Sequence, residues 1–281
     1  MNDILNKLSK RNKFNYHKMP ADKMNDFGND LPLMQWLQDQ NNTHAKPPFV
    51  LLQHHYFTDL WKSSHGGIPQ PTFINVIRDP VDWFSSHYHF MFYGWNRDQG
   101  KRDNQAKLLE KHKPMPLEDC IKYNEDICTK NPWRYIEFFS GIDFSSLNIP
   151  MTQHIGKKKS YFMDFSEVAK KKIIEFTKHQ ILHEYFVVGV LEQFEDTLEL
   201  FEFLMPKFYN GALDVWRSNT IQNTRNQTKS LNKNKLSDES MAKLRQLLYW
   251  EIDLYDFVRG LFNAKLSEKR KHDGFIDKFF G

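Results

Sequence analysis

An arginine and a serine, eight positions apart, lie where a predicted strand gives way to a predicted helix. The stretch FINVIRDPVDWFSSHYHF, residues 73–90, has strand character before Arg-Asp-Pro and helical character after it. A guanidinium at a strand end can hold a phosphate through two hydrogen bonds, and the start of the next helix adds backbone donors. Arg78 and Ser86 are therefore candidate phosphate ligands, with Asp79 capping the helix. The alternative is an Arg78–Asp79 pair that closes an ordinary loop, and spacing alone slightly favours that alternative.

A histidine pair stands at the end of another predicted strand. His54 and His55 follow residues 49–52, and Asp59 is near enough in sequence to orient one of them. A histidine in such a place can act as a general base near neutral pH. Neighbouring strand residues point to opposite faces, so at most one of the pair faces a given site. The alternative is a structural histidine, since the chain has 12.

Metal coordination and kinase chemistry are not supported by the spacing. His87 and His89 are two positions apart and do not chelate together on a helix, and no cysteine or carboxylate set has zinc-like spacing. The IRDP segment is similar to a kinase catalytic loop, but that loop needs asparagine five positions after Asp79, where Phe84 stands. The sequence also lacks GxGxxG and GxxxxGK[ST] motifs. We therefore expect no metal and no kinase activity.

Alternating strands and helices predict a small parallel sheet flanked by helices, an α/β fold. Ligands of such sheets bind beyond the carboxyl ends of the strands, so Arg78 and His54 are expected to face one crevice. The predicted strands are 49–52, 73–77 and 185–190. The predicted helices are 3–11, 31–38, 80–93, 117–123, 133–139, 165–179, 192–205 and 237–262. The predicted loops are 61–71 and two mobile ones near 94–116 and 217–237.

Composition is that of one globular domain, residues 1–281. The chain has 281 residues, of which 40% are hydrophobic, enough to form a core. Its formal charge of +4 fits an anionic ligand or polymer but is too small to indicate nucleic-acid binding. The sequence has no run of about 18 apolar residues and no apolar signal-peptide core, so neither an anchor nor an export signal is predicted.

The stretch INVIRDPVDWFSSHYHF resembles the nucleotide-binding segment of the glycosaminoglycan 2-O-sulfotransferases, which act on heparan sulfate and other uronic acid polymers. In that family an arginine and a serine at this spacing hold the 3′-phosphate of 3′-phosphoadenosine 5′-phosphosulfate, the sulfate donor. They match Arg78 and Ser86. LLQHHYFTDL is similar to the segment with the catalytic histidine, which matches His54. The family often has a second histidine two positions earlier, where this chain has Leu52.

Further segments extend the resemblance over most of the chain. YFVVGVLEQFEDTLELFEFLMPKFYNGAL is similar to a strand and helix of the family. The loop after it falls where the family closes over the adenosine and its 3′-phosphate, which implies roles for Trp216, Arg225 and Thr228. The basic residues Arg97, Lys101 and Arg102 follow the predicted helix 80–93 and are candidate contacts for a sulfated or carboxylated polymer, and an ordinary solvated loop explains these three equally well.

The resemblance also implies a P-loop-like sulfotransferase fold that lacks its first strand. The family begins its domain with a strand and a Pro-Lys-Thr-type loop that cradles the 5′-phosphosulfate. The helix after that loop resembles residues 3–13 here. We therefore expect the sequence to start just past the loop and its lysine. In the family this lysine stabilises the charge that develops on the oxygen between the sulfur and the 5′-phosphate, so we expect the 281-residue chain to be weak or inactive.

The resemblance implies a disulfide, and the sequence itself contains two glycosylation sequons. Cys120 and Cys128 match a family disulfide in spacing, which would place the domain in an oxidising lumen. A second family disulfide would begin near Ser140 and is absent. Asn41 begins a glycosylation sequon in a polar region, and we expect it to be used. A second sequon at Asn226 would obstruct the ligand loop, and we expect it to be unused.

The implied activity is transfer of sulfate to the 2-hydroxyl of a uronic acid in a glycosaminoglycan such as heparan sulfate. The resemblance also implies a Golgi location and a homotrimer. The alternative is a catalytically degenerate relative that binds glycosaminoglycan or nucleotide without transferring sulfate. Which uronic acid and which polymer would be used does not follow from the sequence.

Overall fold

The structure is a computed structural model of the chain. It describes residues 1–18, 34–35, 37, 49–52, 57–93, 115–123, 135–142, 162, 165–218, 221 and 235–280. No helix in these ranges is long and apolar enough to cross a membrane.

Helices predominate over strands in the described ranges. The elements in chain order are α1 (Asn2–Asn12), β1 (Asn15–Lys18), β2 (Phe49–Leu52), α2 (Leu60–Ser63), β3 (Phe73–Ile77), α3 (Pro80–Tyr93), α4 (Leu117–Lys122), α5 (Tyr135–Ser140), α6 (Glu167–Glu184), β4 (Tyr185–Val190), a 3-10 turn (Leu191–Gln193), α7 (Phe194–Leu204), α8 (Pro206–Tyr209), α9 (Ala212–Arg217), α10 (Asp238–Leu247) and α11 (Tyr249–Phe280).

The strands form two parallel pairs. β1 lies beside β2, and β3 lies beside β4 with Ile77 opposite Val190. The predicted α/β class with a small parallel sheet is compatible with this arrangement. The expected single sheet is not seen in the described part of the chain, where each strand pairs with one neighbour. The register of β3 and β4 shifts once: Phe73 faces Tyr185 and Ile74 faces Val187, so Phe186 is the extra residue.

Several predicted boundaries need correction. Strand β1 was not predicted, because Asn15–Lys18 is short and polar and is held by its pairing with β2. The predicted loop 61–71 includes most of the one-turn helix α2. The predicted helix 192–205 begins with a 3-10 turn. The predicted helix 237–262 is two helices, α10 and α11, which meet at Leu248 (φ −94°, ψ 13°), and α11 extends to Phe280.

Helix α3 begins as the sequence predicts. The Asp79 carboxylate accepts hydrogen bonds from the backbone N–H groups of Val81 (2.9 Å) and Asp82 (3.0 Å). Pro80 occupies the first helical position, where its missing N–H costs nothing. The Asp79 cap therefore sets the direction in which α3 leaves the end of β3.

Two hydrophobic clusters stabilise the fold. The larger includes buried residues of β3, β4, α1, α5, α6, α7 and α11. The smaller joins α3, α4 and α10 through Val81, Phe84, Tyr88, Leu117, Cys120, Ile121, Leu236, Leu244 and Leu248. Because α3 starts at the end of β3 and packs into the smaller cluster, the Arg78–Asp79 segment lies where the two clusters meet.

Helix α1 is tied to the region around α8 and α9. Its buried face consists of Ile4, Leu5 and Leu8. The Asn12 side-chain amide donates to the Phe208 carbonyl (3.0 Å) and to a neighbouring carbonyl at residue 210 (3.1 Å). These contacts join segments that lie far apart in sequence.

Candidate functional site

The carboxyl ends of β3 and β4 bring Arg78 and Glu192 to the same edge. Both strands run parallel, and each of these residues follows the end of its strand by one or two positions. The Arg78 side chain is 28% exposed, and its Nη2 lies 3.5 Å from the Asp82 carboxylate. Its Nε lies 3.9 Å from Glu192 Oε1. The cation therefore faces solvent from between two carboxylates.

The backbone of the Arg78–Asp79 turn is fixed by side chains from two other segments. The N–H of Arg78 donates to the Tyr135 hydroxyl (3.0 Å), and Tyr135 begins α5. The N–H of Asp79 donates to Glu192 Oε1 (3.1 Å). Two consecutive backbone donors are thus satisfied at the point where β3 ends.

Helix α11 contacts the backbone of Tyr135 and the side chain of Glu192. The Glu251 carboxylate, 1% exposed, accepts from the backbone N–H groups of Tyr135 (3.1 Å) and Ile136 (3.2 Å) at the start of α5. The Tyr255 hydroxyl donates to Glu192 Oε2 (3.0 Å). Burial raises the pKa of the Tyr135 phenol, and burial with the Glu192 carboxylate raises that of Tyr255. Both phenols therefore keep their protons at neutral pH.

These contacts reduce the number of hydrogen-bond donors that the carboxyl ends of β3 and β4 present to an anionic ligand. The Asp79 carboxylate already accepts hydrogen bonds from two N–H groups at the start of α3. Glu192 accepts from Asp79 and Tyr255. Asp82, 53% exposed, is the carboxylate that competes most directly for Arg78. Arg78 is accessible enough to bind a phosphate if it exchanges Asp82 for the ligand.

The remaining described candidates lie on neighbouring elements. Ser86 is half-buried in α3, two turns beyond Arg78. Trp216, in α9, packs edge to face against Phe194, with ring centroids 4.7 Å apart. Because Phe194 begins α7 two residues after Glu192, Trp216 lies beside the segment that leaves the carboxyl end of β4.

Other predicted residues are only partly covered. Cys120 is buried in the smaller cluster, but its predicted partner Cys128 lies outside the described residues, so the disulfide stays a prediction. No group of three or more metal-binding side chains occurs in the ranges that the structure covers. The predicted site residues outside the described ranges are Asn41, His54, Arg97, Lys101, Arg102, Cys128, Arg225 and Thr228.

The residues that surround the Arg78–Asp79 turn were not predicted from the sequence as site residues. Glu192 could have been found, because it follows β4 as Arg78 follows β3, and parallel strands end at the same edge. Tyr135, Glu251 and Tyr255 have no such local signal. They reach the turn only through the packing of α5 and α11.

Comparison with known proteins identifies sulfotransferases as relatives. No family model matches the chain. Uronyl 2-sulfotransferase of Mus musculus is 27% identical over 240 residues, 84% of this chain and 53% of that protein. Heparan sulfate 2-O-sulfotransferase 1 is 26% identical over 95% of this chain in Xenopus laevis and 28% identical over 86% in Gallus gallus, covering 68% and 63% of those proteins.

The extent of these matches confirms the predicted resemblance to an enzyme family. The chain spans about half the length of the uronyl 2-sulfotransferases it matches, 53% in Mus musculus and 50% in Homo sapiens. The similarity nevertheless covers 80% or more of this chain in each of these relatives. The chain is therefore similar, over most of its length, to the uronyl and heparan sulfate 2-O-sulfotransferases.

Proposed function

We propose that this protein transfers sulfate from 3′-phosphoadenosine 5′-phosphosulfate to the 2-hydroxyl of a uronic acid in a glycosaminoglycan such as heparan sulfate. The observation that supports this most directly is the position of Arg78. It is a partly exposed cation at the carboxyl end of a parallel strand, followed by a capped helix. The 2-O-sulfotransferase relatives supply the reaction class.

The donor contacts proposed for this chain are with the 3′-phosphate and the adenosine. Arg78 would bind this group with charge-assisted hydrogen bonds, and the Ser86 hydroxyl would add a further donor. Trp216 would lie against the adenosine, and Arg225 and Thr228 would close over the nucleotide. The partial exposure of Arg78 supports this role, because a ligand can reach the guanidinium without unfolding β3 or α3.

The reaction would be an in-line displacement at sulfur. His54 would take the proton from the uronic acid 2-hydroxyl, and that oxygen would form a bond to sulfur. The bond between sulfur and the bridging oxygen would break, and adenosine 3′,5′-bisphosphate would leave with the electron pair. Arg97, Lys101 and Arg102 would bind the acidic polymer.

We place this chemistry in the Golgi lumen, with a disulfide between Cys120 and Cys128, a glycan on Asn41 and a homotrimeric assembly.

The test of catalysis compares two adjacent histidines. In a preparation that transfers labelled sulfate from the donor to heparan sulfate, His54→Ala should lower the rate about 100-fold or more, because a general base is lost. His55→Ala is the matched control, because it removes the same side chain at the next position in the sequence, and it should retain most of the rate. Analysis of the digested product should place the sulfate on the 2-position of a uronic acid.

Two outcomes would redirect the assignment. Undiminished transfer by the His54→Ala protein would remove His54 from the catalytic role. Saturable binding of adenosine 3′,5′-bisphosphate without any transfer would favour the degenerate binding module.

A further inference from the structure

We infer that Tyr135 and Glu192 are positioning residues for Arg78, and that helix α11 fixes both of them through Glu251 and Tyr255. This inference rests on the proposed function, since it assigns the contacts that set the 3′-phosphate ligand in place. Neither Tyr135 nor Glu192 is proposed to touch the nucleotide. Each acts on the Arg78–Asp79 turn.

The first step is the pair of backbone hydrogen bonds at the end of β3. The N–H of Arg78 is bound by the Tyr135 hydroxyl at 3.0 Å, and the next N–H is bound by Glu192 at 3.1 Å. These two bonds come from segments 57 and 113 residues away in sequence. Because the direction of the Arg78 side chain starts from this backbone, they determine where the guanidinium can reach.

The second step is the way in which α11 fixes the two acceptors. Glu251 binds the backbone of Tyr135, and Tyr255 binds the carboxylate of Glu192. These two residues are four positions apart, so they lie on the same face of the helix, one turn from each other. A single helix face therefore sets both contacts of the turn.

The third step concerns the guanidinium itself. Glu192 Oε1 lies 3.9 Å from Arg78 Nε while it accepts the Asp79 N–H. The same carboxylate thus contacts the backbone and faces the side chain of one short segment. A flexible arginine loses less conformational freedom on binding when its position is set in advance, and small misplacements weaken binding strongly.

The test uses three tyrosine to phenylalanine variants of the 281-residue chain, which change neither charge nor ring size. Each protein is titrated with adenosine 3′,5′-bisphosphate and with 5′-AMP, which lacks only the 3′-phosphate. The dissociation constant for 5′-AMP divided by that for the bisphosphate reports the 3′-phosphate contact. A general loss of stability does not change this ratio. Thermal unfolding confirms that each variant is folded.

Tyr135→Phe should lower this ratio about fivefold, the effect of losing one hydrogen bond. Tyr255→Phe releases Glu192 and should lower the ratio about two- to threefold. Tyr209→Phe is the control, because Tyr209 is also buried but packs against Phe201, away from the turn. Its ratio should equal that of the unchanged protein.

The outcomes separate this inference from the proposed function. If the unchanged protein binds both nucleotides equally, the proposed 3′-phosphate site is wrong. If it prefers the bisphosphate and the Tyr135 and Tyr255 variants keep that preference, the positioning inference is overturned and the proposed site stands. If Tyr135→Phe does not fold, the Tyr255→Phe ratio decides alone.

Discussion

At the scale of single residues, the two carboxylates beside Arg78 differ in their exposure, which is 53% for Asp82 and 34% for Glu192. Glu192 accepts hydrogen bonds from Asp79 and Tyr255, so its position is set by the fold. Asp82 is 53% exposed and lies one helical turn after Arg78. An exposed ion pair of this kind contributes at most about 1 kcal/mol. An incoming phosphate can therefore displace Asp82 more easily than Glu192.

This difference predicts the effect of Asp82→Asn on nucleotide binding. Removing the competing carboxylate should lower the dissociation constant for adenosine 3′,5′-bisphosphate about two- to fivefold at low salt. The gain should shrink as ionic strength rises, because exposed charges are screened. Calorimetric titration at two salt concentrations measures both effects.

Asp253→Asn is the control for net charge. Asp253 pairs with Lys178 at 2.9 Å and does not contact Arg78. This variant should leave the dissociation constant nearly unchanged. Weaker binding by Asp82→Asn would indicate that Asp82 orients Arg78 instead of competing with the ligand.

At the scale of elements, β4 and α7 approach closely at Gly189. A Cβ built on Gly189 would lie 2.2 Å from Thr197 Cγ2. The Thr197 hydroxyl bonds the backbone of Val190, accepting from its N–H (2.9 Å) and donating to its carbonyl (3.0 Å). The side chain is fully buried, so it has little room to move. Glycine is therefore needed where α7 crosses β4.

Gly189→Ala should destabilise the protein by about 2–3 kcal/mol, because overpacking displaces buried groups. Adding Thr197→Ser removes the methyl group that the new Cβ would meet and keeps the hydroxyl. The double variant should recover much of the loss, which a double-mutant cycle of unfolding free energies measures. Strictly additive effects of the two substitutions would contradict a direct clash.

Local signals explain which elements could be predicted. Asp79 and Pro80 are helix-start residues, and they predict the start of α3. Ser237 caps α10, and the start of that helix was predicted in the same way. Strand β1 lacks an apolar pattern and depends on its partner strand. The bend at Leu248 occurs without proline or glycine, so no residue type signals it. The contacts of Tyr135 with the turn arise only from tertiary packing.

At the scale of the whole molecule, one carboxylate joins two distant parts of the smaller cluster. Glu118, at the start of α4, accepts hydrogen bonds from the backbone and hydroxyl of Ser237 and from the hydroxyl of Ser240 (2.6 Å). These bonds connect the starts of α4 and α10 across about 120 residues of sequence. They lower the pKa of Glu118 below its ordinary value of 4.5.

The lowered pKa predicts how stability depends on pH. The stabilising contribution of Glu118 should be fully present above about pH 4.5 and should disappear as the pH falls through the lower folded-state pKa. Glu118→Gln should therefore lower the melting temperature at pH 7 by about 2 °C, and the difference should vanish in acid.

Melting curves from pH 7 to pH 3 check this expectation, with Glu268→Gln as an exposed control. Both substitutions remove one negative charge, but only the first removes the contact with α10. An equal shift in both variants would assign the effect to net charge.

The attachment of α1 to the region around α8 has a consequence for biosynthesis. Asn12 bonds the carbonyl of a residue 196 positions later, and the apolar face of α1 packs in the same region. At about 5–20 residues per second, a ribosome completes that partner segment roughly 10–40 s after α1. During this interval Ile4, Leu5 and Leu8 lack the surface that later buries them. Helix α1 thus reaches these native contacts only after a much later segment has been made, and chaperones that bind apolar nascent segments have that interval in which to act.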